Sequence, residues 1–73
     1  MDILLTNVLK THRTNNKLTQ AQLADMAGIT RKSVNAIETG KMVPSVVLAL
    51  RISMVLNTPV ETLFTIQAQQ NQA

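Results

Sequence analysis

The side chains with the clearest binding chemistry lie in one short run near the middle of the chain. Arg31 and Lys32 are adjacent cations. Ser33 adds a hydroxyl, and Asn35 adds an amide shortly after it. Proteins use these groups to hydrogen-bond phosphates and the edges of nucleic-acid bases. The run therefore predicts a polar recognition surface, if the surrounding segment holds these side chains at one exposed end of a helix.

Two helix signatures separated by a short turn surround this run. Thr19 is a good N-cap, and Gln22 completes a capping box for a helix that Gly28 can end. A second helix begins at Thr30 and stops at Gly40. Two short helices joined by a turn of about three residues containing Gly have the spacing of a helix-turn-helix. The polar run falls at the N-terminal end of the second helix.

The segment Leu18–Lys41 resembles the DNA-binding domain of the Cro and lambda-repressor type. The resemblance covers residues 5–64, and it implies an all-α, compact five-helix fold with the helix-turn-helix at helices 2 and 3. Residues 1–66 are expected to form this domain. The polar residues 67–73 would extend the last helix or stay disordered. The matching residues are Leu18, Thr19, Gln20, Leu23, Ala24, Ala27, Gly28, Ile29, Thr30, Ser33, Val34, Ile37, Glu38, Gly40, Lys41, Pro44, Ser45, Leu56, Leu63 and Phe64.

Three further helices are expected around the motif. A first helix is predicted over Ile3–Thr14, where apolar residues repeat at helical spacing. A fourth begins after the cap residue Ser45 and runs to Leu56. A last short helix is predicted from Thr58, which would form a capping box with Glu61.

Residue chemistry and the resemblance together assign contacts to double-stranded DNA. Helix 3 would lie in the major groove, where Arg31 suits a bidentate contact to guanine and Asn35 suits adenine. Lys32 would contact guanine or phosphate, and Ser33 would make an adaptable minor contact. The resemblance implies that the residues contacting the DNA backbone are Gln20, Lys17, Thr39 and Lys41.

The resemblance also implies an ion pair between helix 1 and helix 3. Members of the family pair an arginine with a glutamate at the positions of Arg13 and Glu38. This pair would brace helix 1 against helix 3, and Arg13 would also be placed to contact a phosphate.

Composition narrows the class of protein. The 73 residues suit one domain, and the net charge of +3 mildly favours a polyanion partner. With no Cys, one His and four acidic residues, no metal, cofactor or enzyme activity is expected. A single aromatic residue, Phe64, argues against binding to single-stranded nucleic acid, which needs stacking platforms. The sequence has neither a membrane span nor a signal peptide, so a cytoplasmic location is expected.

Helix 4 predicts a homodimer because it is apolar on nearly all sides. Val47 and Met54 are seven residues apart and share a stripe away from the core-facing residues. A two-fold dimer would double the number of bases read and would require a palindromic site. The expected interface contains Val47, Met54 and Ile66. The alternative is that helix 1 or the tail covers this face.

Two functional classes stay open. The first is a sequence-specific transcriptional repressor that binds a palindromic operator, of which a restriction-modification control protein is a variant. The second is a partner-binding module, such as an antitoxin that neutralises a toxin and also binds its own operator. A neighbouring toxin-like gene would favour the second class. Salt-dependent binding to a palindrome without a partner would favour the first.

Overall fold

The computed structural model describes residues 2–69, and the side chains of residues 4–67. Residues 70–73 of the expected tail lie outside the described residues. The element order is β1 (Asp2–Asn7), α1 (Leu9–Asn15), α2 (Gln20–Ala27), α3 (Arg31–Glu38), α4 (Val46–Leu56), α5 (Val60–Leu63) and β2 (Phe64–Gln69). None of the helices in this range is long and apolar enough to cross a membrane.

Side-chain caps begin α2, α3 and α4. The capping box at Thr19 is confirmed, since its side chain accepts from the backbone N–H of Gln22 and the Gln22 side chain accepts in return. Thr30 caps α3 and Ser45 caps α4 through the same kind of hydrogen bond. Gly28 ends α2 with a φ of 71°, a left-handed conformation that costs glycine little. These residues fix the geometry of the helix-turn-helix.

A single apolar core holds the motif in place. On α2 the small side chains of Ala24 and Ala27 are buried, and α2 packs against both α3 and α4. Small residues on this face allow the helices to approach one another closely. The buried apolar residues are Leu9, Leu23, Ala24, Ala27, Val34, Ile37, Ala49, Ile52, Leu56, Leu63 and Phe64.

The two ends of the chain pair as a sheet, which corrects the expectation of an all-α fold. β1 and β2 are antiparallel, with Leu5 opposite Ile66. The first helix therefore begins at Leu9 rather than at Ile3, and Asn7 Oδ1 accepts the Leu9 backbone N–H at 3.1 Å. Helical spacing was misleading here because the strand's hydrogen-bond partners lie at the far end of the chain, where local periodicity carries no information.

The C-terminal part of the chain also differs from the prediction. The last helix is a single turn, and Thr58 forms no capping box. Its hydroxyl donates instead to the Leu56 carbonyl at 2.9 Å. The chain then extends into β2, which contains Ile66 and residues 67–69 of the expected tail. Ile66 therefore lies on a strand and not on a final helix.

Candidate nucleic-acid interface

Four of the polar side chains singled out in the sequence meet at one open concavity. It lies between the N-terminal ends of α2 and α3 and is lined by Gln20, Arg31, Lys32 and Asn35. Gln20 is half-buried at the start of α2, and the other three are exposed on α3. Two short helices thus place two cations and two amides on one surface.

The packing of α3 determines which side chains it presents. Val34 and Ile37 are 0% and 1% exposed and anchor one side of the helix in the core. Arg31, Lys32 and Asn35 project from the other side of its first one and a half turns. The first backbone N–H groups of a helix lack intrahelical partners, so this end also favours a negatively charged group. The polar face of α3 is therefore suited to a polyanion.

An ion pair beneath the concavity joins α1 to α3. Arg13 Nε donates to Glu38 Oε2 at 2.6 Å, and Arg13 Nη2 donates to Glu38 Oε1 at 3.3 Å. The third guanidinium nitrogen, Nη1, donates to the Leu18 carbonyl at 2.7 Å. The Arg13 and Glu38 side chains are only 9% and 3% exposed, so this bidentate geometry offsets much of the cost of burying both charges. Three of the five N–H groups of Arg13 have acceptors in this arrangement, so a phosphate contact from Arg13 would use the remaining two.

The same carboxylate is linked to the surface through Gln20. Gln20 Nε2 donates to Glu38 Oε1 at 3.1 Å and to Asn35 Oδ1 at 3.1 Å. A continuous hydrogen-bonded chain thus runs from the buried Arg13 to the exposed amide of Asn35. Sequence reasoning missed this chain because its members lie on three different helices and share no local spacing.

Two of the predicted backbone contacts, Lys17 and Lys41, lie in the segments that flank the motif. Both side chains are exposed. Lys17 takes the left-handed conformation in the turn before α2, with a φ of 59°, although Asn16 has the more favourable side chain for it. The two lysines extend positive charge beyond the concavity without lining it.

The two remaining predicted contacts are hydroxyls that bond within α3 or to its cap. Thr39 Oγ1 donates to the Asn35 carbonyl at 2.9 Å, which turns its side chain back along the helix. Ser33 is half-buried, and its Oγ accepts from the Thr30 hydroxyl at 2.9 Å. The Thr39 hydroxyl is thus engaged within the helix, and the Ser33 hydroxyl is bonded to that of the cap residue Thr30.

The residues predicted to form a dimer interface are all exposed. Val47, Met54 and Ile66 have exposed fractions of 59%, 79% and 66%. Val46 and Leu50 are further large apolar side chains of α4 that are exposed rather than buried in the core. Helix α1 leaves this face open. Among the described residues no group of three or more His, Cys, Asp and Glu side chains is arranged to hold a metal ion.

Known proteins similar to this chain are of comparable size. A helix-turn-helix family model matches residues 9–63. An uncharacterised HTH-type transcriptional regulator of Methanocaldococcus jannaschii is 40% identical over 58 residues, which cover 80% of this chain and 88% of that protein. The uncharacterised HTH-type transcriptional regulator YgzD of Bacillus subtilis is 35% identical over 63 residues, covering 86% and 96%. The restriction-modification controller protein C.AhdI from Aeromonas hydrophila superposes with a TM-score of 0.71 at 30% identity, covering 74% of this chain and 82% of that structure.

Proposed function

We propose that this chain, which belongs to the helix-turn-helix family of DNA-binding transcriptional regulators, binds double-stranded DNA with the N-terminal end of α3 in the major groove. The resemblance to the Cro and lambda-repressor type is confirmed by the family match. The observation that carries the proposal is the concavity lined by Gln20, Arg31, Lys32 and Asn35. It combines positive charge with amides at the end of an exposed helix, as contact with base edges and phosphates requires.

The charged and hydroxyl side chains at and beside this surface have proposed parts in recognition. Arg31 would make a bidentate contact to guanine, and Lys32 would contact guanine or a phosphate. Ser33 would make an adaptable minor contact through its hydroxyl. Lys17 and Lys41 would hold the DNA backbone on either side of the groove. These assignments follow from exposure, charge and position on the motif.

We further propose that two copies bind a palindromic operator and repress transcription from it. One α3 helix reads few base pairs, and a two-fold dimer would place two of them on half-sites about 34 Å apart. The exposed Val47 and Met54 on α4 support an interface between copies, since monomers rarely leave large apolar side chains grouped on one helix face.

Control of a restriction-modification operon is the second candidate function. It is supported by the similarity in fold and sequence to C.AhdI, a protein described as a restriction-modification controller. Genes for a methyltransferase and an endonuclease beside the gene for this chain would favour that role over repression of an unrelated promoter.

Selection of bound duplexes from a random DNA pool tests the proposed function. The expected outcome is enrichment of a two-fold symmetric sequence. Arg31→Ala should weaken binding to it by about 1–3 kcal/mol and relax one base pair in each half-site. Arg51→Ala removes another exposed cation, on α4, and should leave affinity almost unchanged. A pool without enrichment, or equal losses in the two variants, would argue against DNA reading by α3.

A further inference from the structure

We propose that Glu38 sets the donor and acceptor directions of both amides on the DNA-facing surface. In this arrangement Asn35 turns its N–H₂ donors toward a base, and Gln20 presents its carbonyl oxygen. The inference rests on the proposed function, because it concerns which base edges that same surface reads. Glu38 itself would touch no base, so it is a positioning residue.

The direction of the hydrogen-bonded chain is fixed at its buried end. The Glu38 side chain is 3% exposed and accepts two hydrogen bonds from Arg13. A carboxylate held by an arginine accepts hydrogen bonds and donates none. The Gln20 atom that faces Glu38 Oε1 at 3.1 Å must therefore be the amide nitrogen and not the oxygen.

Both hydrogens of the Gln20 amide are then in use. One is directed to Glu38 Oε1 and the other to Asn35 Oδ1, each at 3.1 Å from Nε2. The free polar atom of Gln20 is its carbonyl oxygen, which can only accept. A phosphate offers only acceptors. The phosphate contact expected from the sequence would therefore bring a phosphate oxygen against the carbonyl oxygen of Gln20, and neither can donate. The donors that fit Gln20 are the exocyclic amino groups of cytosine and adenine.

The orientation of the Asn35 amide is determined by its bond to Gln20. If its amide were rotated by half a turn, its N–H₂ group would face the N–H₂ group of Gln20. Asn35 Oδ1 is therefore directed at Gln20, and Nδ2 remains available for DNA. A bidentate pair with adenine needs both the oxygen and the nitrogen of the asparagine amide, and Asn35 would have to share its oxygen with Gln20. Guanine offers two acceptors, O6 and N7, and needs only the N–H₂ group. Asn35 should therefore prefer guanine, which revises the expectation of adenine.

The two hydrogen bonds of the Gln20 amide differ in burial and therefore in strength. The bond between Glu38 and Gln20 is partly buried, and the bond between Gln20 and Asn35 is exposed. Hydrogen bonds to a charged group in a region of low dielectric are the stronger ones. The buried carboxylate should therefore hold Gln20 firmly, and Gln20 should in turn bias the weaker bond at Asn35.

Side-chain amide exchange in the free protein tests the network without DNA. The Gln20 amide protons should exchange with solvent more slowly than those of Gln67, an exposed glutamine on β2. Asn35→Ala should speed exchange of one Gln20 amide proton and leave the other slow, because only one is directed at Asn35. Equal exchange in Gln20 and Gln67, or two Gln20 protons that both ignore Asn35→Ala, would overturn the inference.

Selection from a random duplex pool tests the consequence for DNA reading. The base pair that Asn35 reads is the one at which Asn35→Ala loses selectivity. Wild type should select guanine there. Gln20→Ala frees the Asn35 amide to rotate, so preference should move toward adenine by about tenfold. Glu38→Gln should shift the same base pair in the same direction, provided that its thermal unfolding shows a folded protein.

The outcomes separate the two proposals. Adenine selected by wild type and unaffected by Gln20→Ala would overturn the orientation of the amides and leave DNA binding by α3 standing. Enrichment of no duplex at all would overturn the proposed function, and the reading of guanine with it. A shift from guanine to adenine in Gln20→Ala supports both.

Discussion

Glu38 is bonded on two sides, to Arg13 beneath the interface and to Gln20 at its edge. Its carboxylate therefore affects folding through one partner and the recognition surface through the other. A substitution at an exposed residue such as Lys32, for which we propose a DNA contact, should change binding alone. This difference makes stability measurements at Glu38 informative before any DNA is added.

Glu38→Ala should destabilise the protein by about 3–5 kcal/mol, because it leaves the buried Arg13 guanidinium without its counter-charge. Denaturant unfolding gives the change in free energy. Glu61→Ala is the control, since it removes an exposed carboxylate from α5 and should change stability by less than about 0.5 kcal/mol. Near-equal effects of the two substitutions would contradict the packing of the pair.

A double-mutant cycle isolates the interaction itself. Arg13→Ala and Glu38→Ala combined should cost clearly less than the sum of the single changes, because the double variant leaves no buried charge unpaired. A coupling energy near zero would show that the two side chains do not interact in solution.

Much of the chemistry of the site was predictable at this scale, but its connections were not. The exposed cations and the amide of α3 follow from residue type and from the cap at Thr30. The pairing of Arg13 with Glu38 was suggested only by family resemblance, since the two residues are 25 positions apart on different helices. The bonds of Gln20 depend on how α2 and α3 cross, which no local pattern records.

Among the elements, those defined by local signals were predicted well. α2, α3 and α4 begin at side-chain caps, and the turn between α2 and α3 begins at Gly28. β1 was not predicted, because a short apolar run is ambiguous between helix and strand and its partner β2 lies at the other end of the chain. The missed elements are thus those whose hydrogen bonds are not local.

Close packing between α2 and its neighbours can be tested with a small buried residue. Ala24 is 4% exposed, so Ala24→Leu should overpack the crossing and lower stability by about 1–3 kcal/mol. Thermal unfolding measures this loss. Ala21→Leu makes the same change at an exposed position of α2 and should be nearly neutral. Equal melting temperatures for the two variants would contradict a close crossing at Ala24.

At the scale of the whole molecule, the exposed apolar side chains favour association of two copies. Chains of this length bury only about 60% of their unfolded surface, so further burial between two copies would stabilise the fold. The apolar residues Val47 and Met54 of α4 are exposed in the single chain. Ile66 is exposed as well, but it lies on β2. The exposed face of α4 with Val47 and Met54 and the two-stranded sheet are therefore two different candidate interfaces, which have to be tested separately.

If two copies pair through α4, the variant Val47→Glu, Met54→Glu should sediment as a monomer at concentrations where wild type sediments as a dimer, because each interface would bury four carboxylates. Val43→Glu is the matched control, placed at an exposed valine in the loop before α4. A dimer that persists in the double variant would exclude the α4 face and direct attention to Ile66.

Chemical-shift mapping tests whether DNA lies against the N-terminal end of α3. An isotope-labelled protein would be titrated with the duplex enriched from the random pool while the backbone amide signals are followed. The largest changes should fall on residues 30–36 and on residues 19–21 at the start of α2, with small changes on the exposed face of α4 and on β2. Changes centred on α4 or on the two strands, with α3 unaffected, would contradict DNA binding by α3.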